Sequence, residues 1–293
     1  MIKLKRIILK NFCGYKNFQW DFTNKETGKI NNLLMLYGPN GIGKSSFLDA
    51  IRLLSNPRKL ANRQGLTTFF RKLTFNQNYV PGLDGFDGNK EELYMEGVFD
   101  TSEGEKRVIL KNNWIDKESG LILNELGYSE NSIYLDSDHP NQVYSFQLRR
   151  ENKEKFLDFA SSIYGFKCEM PQDYKDLDYS SENISFCNDF IIIKPPYGVK
   201  VHYKRMSAGE KKIATMLRIL FDDCYSDKNL GILLIDNIEL HLYFRRHLIL
   251  LQKLNEYFGD RQIIATTHSP VIIDNLPKES LCDLEEYFND EKK

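Results

Sequence analysis

The segment GPNGIGKS (38–45) holds the most specific chemistry in the chain. Gly38, Gly41 and Gly43 are spaced so that the backbone can curl, with Pro39, Asn40 and Ile42 between them, and Lys44, Ser45 and Ser46 follow. This is the pattern G-x-x-x-x-G-K-[ST]. It lies between an apolar run, Leu33–Leu36, and a segment whose Phe47, Leu48, Ile51 and Leu54 recur at helical spacing. A curled glycine loop points successive N–H groups at phosphate oxygens, and the helix start adds its positive dipole end. Lys44 has the reach for β- and γ-phosphates, and the Ser45 hydroxyl is a magnesium ligand. A bare glycine turn before a helix is the alternative, but the full pattern in its required context favours the phosphate cradle.

Three more stretches carry groups that such a cradle uses. GILLIDNIELHL (231–242) is a buried apolar run ending in Asp236, the way a parallel strand delivers a carboxylate to a magnesium–phosphate site. Asn237 and Glu239 follow. RMSAGEKK (205–212) contains Ser207-x-x-Glu210, which by itself is a capping box starting a helix with Ile213, Met216, Leu217 and Leu220. Ala208 and Gly209 lie inside that box, and a glycine there weakens the helix start unless something must come close. QIIATTHSP (262–270) is a buried strand ending at His268, at the strand end where α/β sheets bind ligands.

The elements that must position these groups follow from periodicity. Lys3–Leu9 and Phe18–Phe22 alternate as strands. LYMEGVFD and KRVILKNNW flank TSEGE as a hairpin, and FIIIK and VKVHY flank PPYG as a second. Phe156, Leu157, Phe159, Ala160 and Ile163 mark a helix over 152–164. From Met206 the pattern is helix, buried strand, helix, buried strand. Residues 56–92 and 169–183 read as loops. The expected organisation is one α/β P-loop domain. Its nucleotide-binding core is 1–55 and 187–275, with a β-hairpin and helical insertion over 56–186 and an acidic tail over 276–293.

Composition excludes several classes. The 293 residues are 41% apolar and 28% charged with a net charge of −1, so no global basic field marks a polyanion partner. The five cysteines contain no CxxC pair, which suits reduced thiols rather than a disulfide frame or a zinc site. No apolar run reaches the length of a membrane span. A cytoplasmic protein is expected.

The order of phosphate loop, SAGE helix, acidic strand and strand-end histidine resembles that of ATP-binding-cassette ATPases. In detail the chain is similar to the SMC/RecF-like branch and to related bacterial AAA-type ATPases. The residues concerned are LKRIILKNFCGYKNFQWDF, GPNGIGKSSFLDAI, MSAGEKKIATML, LLIDNIELHL and ATTHSP. The resemblance implies an ATPase head with a mixed sheet, an antiparallel β subdomain and a helical insert, working as a homodimer around two ATP molecules with Mg²⁺. Residues 38–46 of one copy would hold a nucleotide, and Ser207, Ala208, Gly209 and Glu210 of the other would cover its γ-phosphate. Asp236 and Ser45 would hold the metal, His268 would sense the γ-phosphate, and a glutamine, Gln147 or else Gln142, would reach the metal or the lytic water.

The family usually has Asp-Glu where this chain has Asp236-Asn237, and an amide can orient water but not take its proton. Three readings compete: Glu239 stands in as the carboxylate, turnover is slow by positioning alone, or the chain is a clamp that rarely hydrolyses. Slow hydrolysis, gating a separately encoded effector such as a nuclease in DNA repair or anti-phage defence, is the expected function. A transporter subunit and an ATP-bound scaffold are the alternatives. DNA is a possible partner through Lys3, Lys5, Arg6 and Lys10 or through Arg58, Lys59, Arg63, Arg71 and Lys72, although each cluster also reads as a solvated surface. His241 and His247, at helical spacing that puts them on different faces, are not expected to bind metal. Trp20 and Trp114 read as packing residues, and Tyr15 either approaches the adenine or belongs to the core.

Overall fold

The computed structural model describes residues 2–55, 93–111, 114–115, 132–135, 148, 150–170, 191–194, 197–221 and 231–290. Strands β1 (Lys3–Phe12) and β2 (Tyr15–Asp21) form an antiparallel pair, longer at both strands than the alternating pattern marks. β3 (Leu33–Tyr37) leads through the glycine loop into α1 (Lys44–Ser55). The first expected hairpin forms as β4 (Tyr94–Thr101) and β5 (Gly104–Lys111), followed by β6 (Trp114–Ile115) and β7 (Ser132–Leu135). Next come α2 (Arg150–Tyr164), β8 (Lys167–Glu169) and the second expected hairpin, β9 (Ile191–Lys194) with β10 (Val199–His202). The helix–strand alternation is α3 (Ala208–Phe221), β11 (Ile232–Ile235), α4 (His247–Phe258) and β12 (Gln262–Thr266). A short α5 (Pro270–Ile273), β13 (Leu281–Asp283) and α6 (Leu284–Asp290) follow. The expected loop at 56–92 and residues 171–183 of the second loop lie outside the described residues.

The described strands make three sheets. One is antiparallel in the order β2-β1-β4-β5-β6, one is a small antiparallel sheet β10-β9-β8, and one is parallel in the order β13-β3-β12-β11-β7. Both faces of the parallel sheet are covered, which is why β11 is continuously apolar and β12 is buried along its whole length rather than alternating. Their side chains nevertheless alternate between two cores. Leu34, Leu36, Ile232, Leu234 and Ile264 join Phe47, Leu48 and Ile51 of α1 and Leu4, Ile7, Phe18 and Phe99 of the antiparallel sheet. Met35, Leu233, Ile235, Ile263 and Ala265 face the other way, onto Phe156 and Phe159 of α2, Leu217 of α3 and Leu250 of α4. The phosphate loop therefore rides on one core and the SAGE helix on the other.

Two contacts fasten the antiparallel sheet to the start of the parallel strands. Gln262, fully buried, accepts from Leu4 N at 2.7 Å and donates back to Leu4 O at 2.8 Å, so its amide acts as one more strand partner. At Gly231 a β-carbon would fall 1.4 Å from the Ile2 carbonyl oxygen, so only glycine can open β11 here.

The sequence boundaries differ from the sheets in two places. The stretch after 275, read as an acidic tail, adds β13 to the parallel sheet, pairing Leu281–Asp283 with Met35–Tyr37, and its Cys282 and Leu284 are buried. Between 56 and 186, β4–β6 join the sheet of β1 and β2 while β7 joins the parallel sheet, so this segment shares both sheets with the core.

Candidate functional site

The glycine loop occupies the turn between β3 and α1, as its pattern requires. Gly38, Gly41 and Gly43 have φ of 140°, 78° and 108°, which side-chain-bearing residues rarely adopt. Pro39, Asn40, Gly41 and Ser45 are exposed, and Ile42 and Ser46 are half-buried. The first turn of α1 carries no acidic residue of its own. Lys44 is buried and its Nζ donates to the carbonyls of Gly38 and Pro39, both at 2.9 Å. Burial pushes the Lys44 ammonium below its usual range, opposed by the charges of Asp236 and Glu239.

Tyr15 lies in the core. Its ring is 1% exposed among Phe18, Phe47 and Phe288, and its hydroxyl donates to Gly43 O at 2.9 Å. A β-carbon at Gly43 would meet that ring at 3.2 Å, so Tyr15 supports the loop from below.

The C-terminal ends of β3, β11 and β12 converge on Asp236. Ser45 Oγ donates to Asp236 Oδ2 at 2.8 Å, and Thr266 Oγ1 donates to Oδ1 at 2.6 Å. Thr266 Oγ1 also accepts from Asn237 N at 2.8 Å. Asn237 lies at φ 49°, in the left-handed region that Asn tolerates better than most side chains. A hydroxyl and a carboxylate, both hard oxygen donors and both beside the phosphate loop, fit a Mg²⁺ that takes its remaining ligands from phosphate and water. Among the described residues no group of three His, Cys, Asp or Glu side chains could hold a metal by protein ligands alone. Gln147 and Gln142 lie outside the described residues.

Glu239 is tied to the loop after β12. Its Oε2 accepts from Thr267 Oγ1 at 2.8 Å and its Oε1 accepts from His268 N at 2.7 Å. The His268 side chain is exposed at the end of β12. Ser269 caps α5, and its Oγ shares a 2.7 Å hydrogen bond with Nδ1 of the buried His247. His241 and His247 do not share a helix: His241 sits at φ 68° in the turn after β11, and His247 opens α4. Burial first, then the charge of Lys212, lowers the His241 imidazole below its usual range.

The capping box forms as read. Ser207 N donates to Glu210 Oε2 at 2.8 Å and Glu210 N donates to Ser207 Oγ at 3.3 Å, with Ser207 and Ala208 exposed. Glu210 also pairs with Lys194 of β9 at 2.6 Å, and its carbonyl accepts from the Tyr164 hydroxyl of α2 at 2.7 Å. A β-carbon at Gly209 would approach His241 Cβ to 3.3 Å, so this glycine admits the turn after β11. Sequence reading named His268, weighed His247 only as a metal ligand, and passed over Thr266, Thr267 and Ser269. The signal was present as a run of hydroxyls directly after a buried strand.

Of the two basic clusters, Arg58, Lys59, Arg63, Arg71 and Lys72 lie outside the described residues. In the other, Lys5 and Arg6 are matched by acids. Lys5 pairs with Glu105, while Arg107 and Arg6 reach the buried Glu96 at 2.6 and 3.3 Å, and Tyr94 bonds to the same carboxylate. Burial pushes the Glu96 carboxyl up, but the Arg107 and Tyr94 hydrogen bonds and the two arginine charges outweigh it and hold the group below its usual range. Lys3 donates to Asn32 Oδ1 at 2.7 Å, and Lys10 lies over the Tyr94 ring.

The AAA ATPase domain model matches residues 2–189, more than half of the chain. The chain belongs to the AAA ATPase domain family. A second model, "AAA domain, putative AbiEii toxin, Type IV TA system", matches residues 129–274 of this AAA ATPase domain protein. Septu protein PtuA of Bacillus mycoides (strain KBAB4) is 24% identical over 93% of the chain, and the chain spans 39% of that relative's length. Solved SMC heads share the fold. A head bound to the C-winged helix domain of ScpA has a TM-score of 0.60 at 17% identity, covering 98% of this chain and 99% of that one. The Pyrococcus furiosus head bound to the C-terminal domain of ScpA gives 0.59 at 15%, covering 100% and 99%. The Thermotoga maritima head gives 0.53 at 16%, covering 93% and 91%. The fold is thus that of a P-loop ATPase of the SMC/AAA type. No helix among the described residues is long and apolar enough to cross a membrane.

Proposed function

We propose that two copies of this chain close around two ATP molecules, hydrolyse them slowly, and gate a separately encoded effector. The observation that carries this reading is the meeting of Ser45 and Asp236 at 2.8 Å, which joins the phosphate loop to the acidic strand. In this reading residues 38–46 hold the phosphates, with Lys44 on the terminal ones. Ser45 and Asp236 hold Mg²⁺, with Gln147 or Gln142 as a further ligand. The ion would supply neutralisation of phosphate charge where phosphoryl transfer develops it. Asn237 orients water without taking its proton, and His268 faces the γ-phosphate. Ser207 and Ala208 are exposed, and Gly209 and Glu210 half-buried, at a capped helix start, an arrangement that suits the phosphate of a second copy.

The likeness to Septu protein PtuA and to SMC heads bound to ScpA domains supports a protein partner. Anti-phage defence or DNA repair is the proposed setting, with a nuclease as one candidate effector and DNA as a possible further partner. Asn237 keeps a non-hydrolysing ATP-bound scaffold as the second reading.

The test is sizing by light scattering with and without ATP–Mg²⁺, together with phosphate release. Wild type should shift from one copy to two and release phosphate slowly, and Lys44→Ala should do neither. A single copy under both conditions, despite measurable ATP binding, overturns the dimer. Dimerisation with no phosphate release above the Lys44→Ala background selects the scaffold.

A further inference from the structure

We propose that Glu239 is a positioning residue that fixes the histidine loop at the mouth of the site, rather than a substitute base for the missing glutamate. The proposal rests on the ATPase reading above and assigns a task to one of its residues. Both carboxylate oxygens are engaged within the chain, Oε1 by His268 N at 2.7 Å and Oε2 by Thr267 Oγ1 at 2.8 Å. The Thr267 hydroxyl in turn accepts from Ser269 N at 3.0 Å, so it must give its single proton to Glu239.

The clamp closes on itself. Ser269 Oγ and His247 Nδ1 are 2.7 Å apart, His247 Nε2 lies 3.3 Å from Leu242 O, and Leu242 N donates to Glu239 O at 2.9 Å. Ile238 N donates to Thr266 O at 3.0 Å, tying the two loops once more at their roots. Thr267, Ser269 and His247 are buried, and the His268 side chain emerges exposed from the ring they make. A backbone N–H held by a fixed carboxylate sets where the following side chain points. The group that gains from the clamp is therefore the His268 imidazole.

Gln and Ala substitutions separate positioning from base chemistry. In Glu239→Gln the amide oxygen can still accept from His268 N. Its NH₂ can donate to Thr267 Oγ1, which has a second lone pair to receive it. The clamp survives while the basic oxygen is lost. In Glu239→Ala both are lost. Hydrogen exchange of the backbone amides over 266–269 in the full chain reports the clamp, and phosphate release and binding of a fluorescent ATP analogue report the site.

We expect Glu239→Ala to speed exchange at His268 by about tenfold or more. We also expect it to lower turnover by about tenfold or more, with analogue affinity changed far less. Glu239→Gln should stay near wild type in exchange and clearly above Glu239→Ala in turnover. Thr267→Val, which removes one hydroxyl at constant shape, should fall between them and decides the matter if Glu239→Ala fails to fold. Equal loss of turnover in the Gln and Ala variants with wild-type exchange in both would make Glu239 the base and overturn the proposal. If wild type releases no phosphate above Lys44→Ala, the ATPase reading fails on its own. The exchange data then decide the clamp, and an Ala variant exchanging no faster than wild type overturns it.

Discussion

Removing a single oxygen at Tyr15 tests whether the phosphate loop is shaped from beneath. Tyr15→Phe keeps the ring against Phe18 and Phe288, whose centroids lie 5.1 and 5.2 Å away, and deletes the 2.9 Å hydrogen bond to Gly43 O. That carbonyl retains the Phe47 amide at 2.9 Å, so the loss is one hydrogen bond and not an orphaned group, about 0.5–1.5 kcal/mol. Burial pushes the Tyr15 phenol well above its ordinary value, so the hydroxyl remains a donor at any practical assay pH. For a chain of this size the unfolding midpoint should fall by about 2–4 °C per kcal/mol. If the bond holds Gly43 in its left-handed conformation, affinity for a fluorescent ATP analogue should weaken by roughly 2- to 10-fold. Anisotropy titration and thermal melts read the two effects separately. A lower melting point with unchanged analogue affinity would place the hydroxyl in core stability alone and refute the argument that Tyr15 shapes the loop.

Two other substitutions probe different links. Asn237→Glu places a longer side chain at φ 49°, at a cost of about 1 kcal/mol in stability, and should raise phosphate release by about tenfold or more if the amide limits turnover. A rate equal to wild type would show that the limit lies elsewhere. Glu96 is held below its usual range, so its contribution is complete above the unfolded value and is lost as pH falls through the folded one. Glu96→Gln should therefore melt a few degrees lower than wild type near neutral pH, with the gap closing below about pH 4. A gap that stays constant across that range would contradict the arginine pairing.

The local geometry of the candidate site was legible where it depends on near neighbours in sequence. The glycine loop, the Ser207–Glu210 capping box and the buried strand before Asp236 each declare themselves within a dozen residues or fewer, because their geometry is set by near neighbours in sequence. What local pattern does not carry is pairing across the chain. Lys5 and Arg6 read as a basic cluster, since their partners Glu105 and Glu96 lie on strands far along the chain. β13 was missed because only Cys282 of its three residues is buried and the acids around it dominate the composition. The hydroxyls of Thr266 and Thr267 gain meaning only once β12 is laid parallel to β11, with Leu234 beside Ile264 and Ile235 beside Ala265.

Glu210 has a mechanical consequence. One side chain both closes the capping box of α3 and bonds to Lys194, while its carbonyl holds Tyr164. The start of α3 is thus bolted to α2 and to the edge hairpin at once, and a tilt of either must be felt at Ser207. Strain applied at the exposed tip of that hairpin, where Tyr197 stands 89% open to solvent, has a short route through Lys194 and Glu210 to the exposed Ser207.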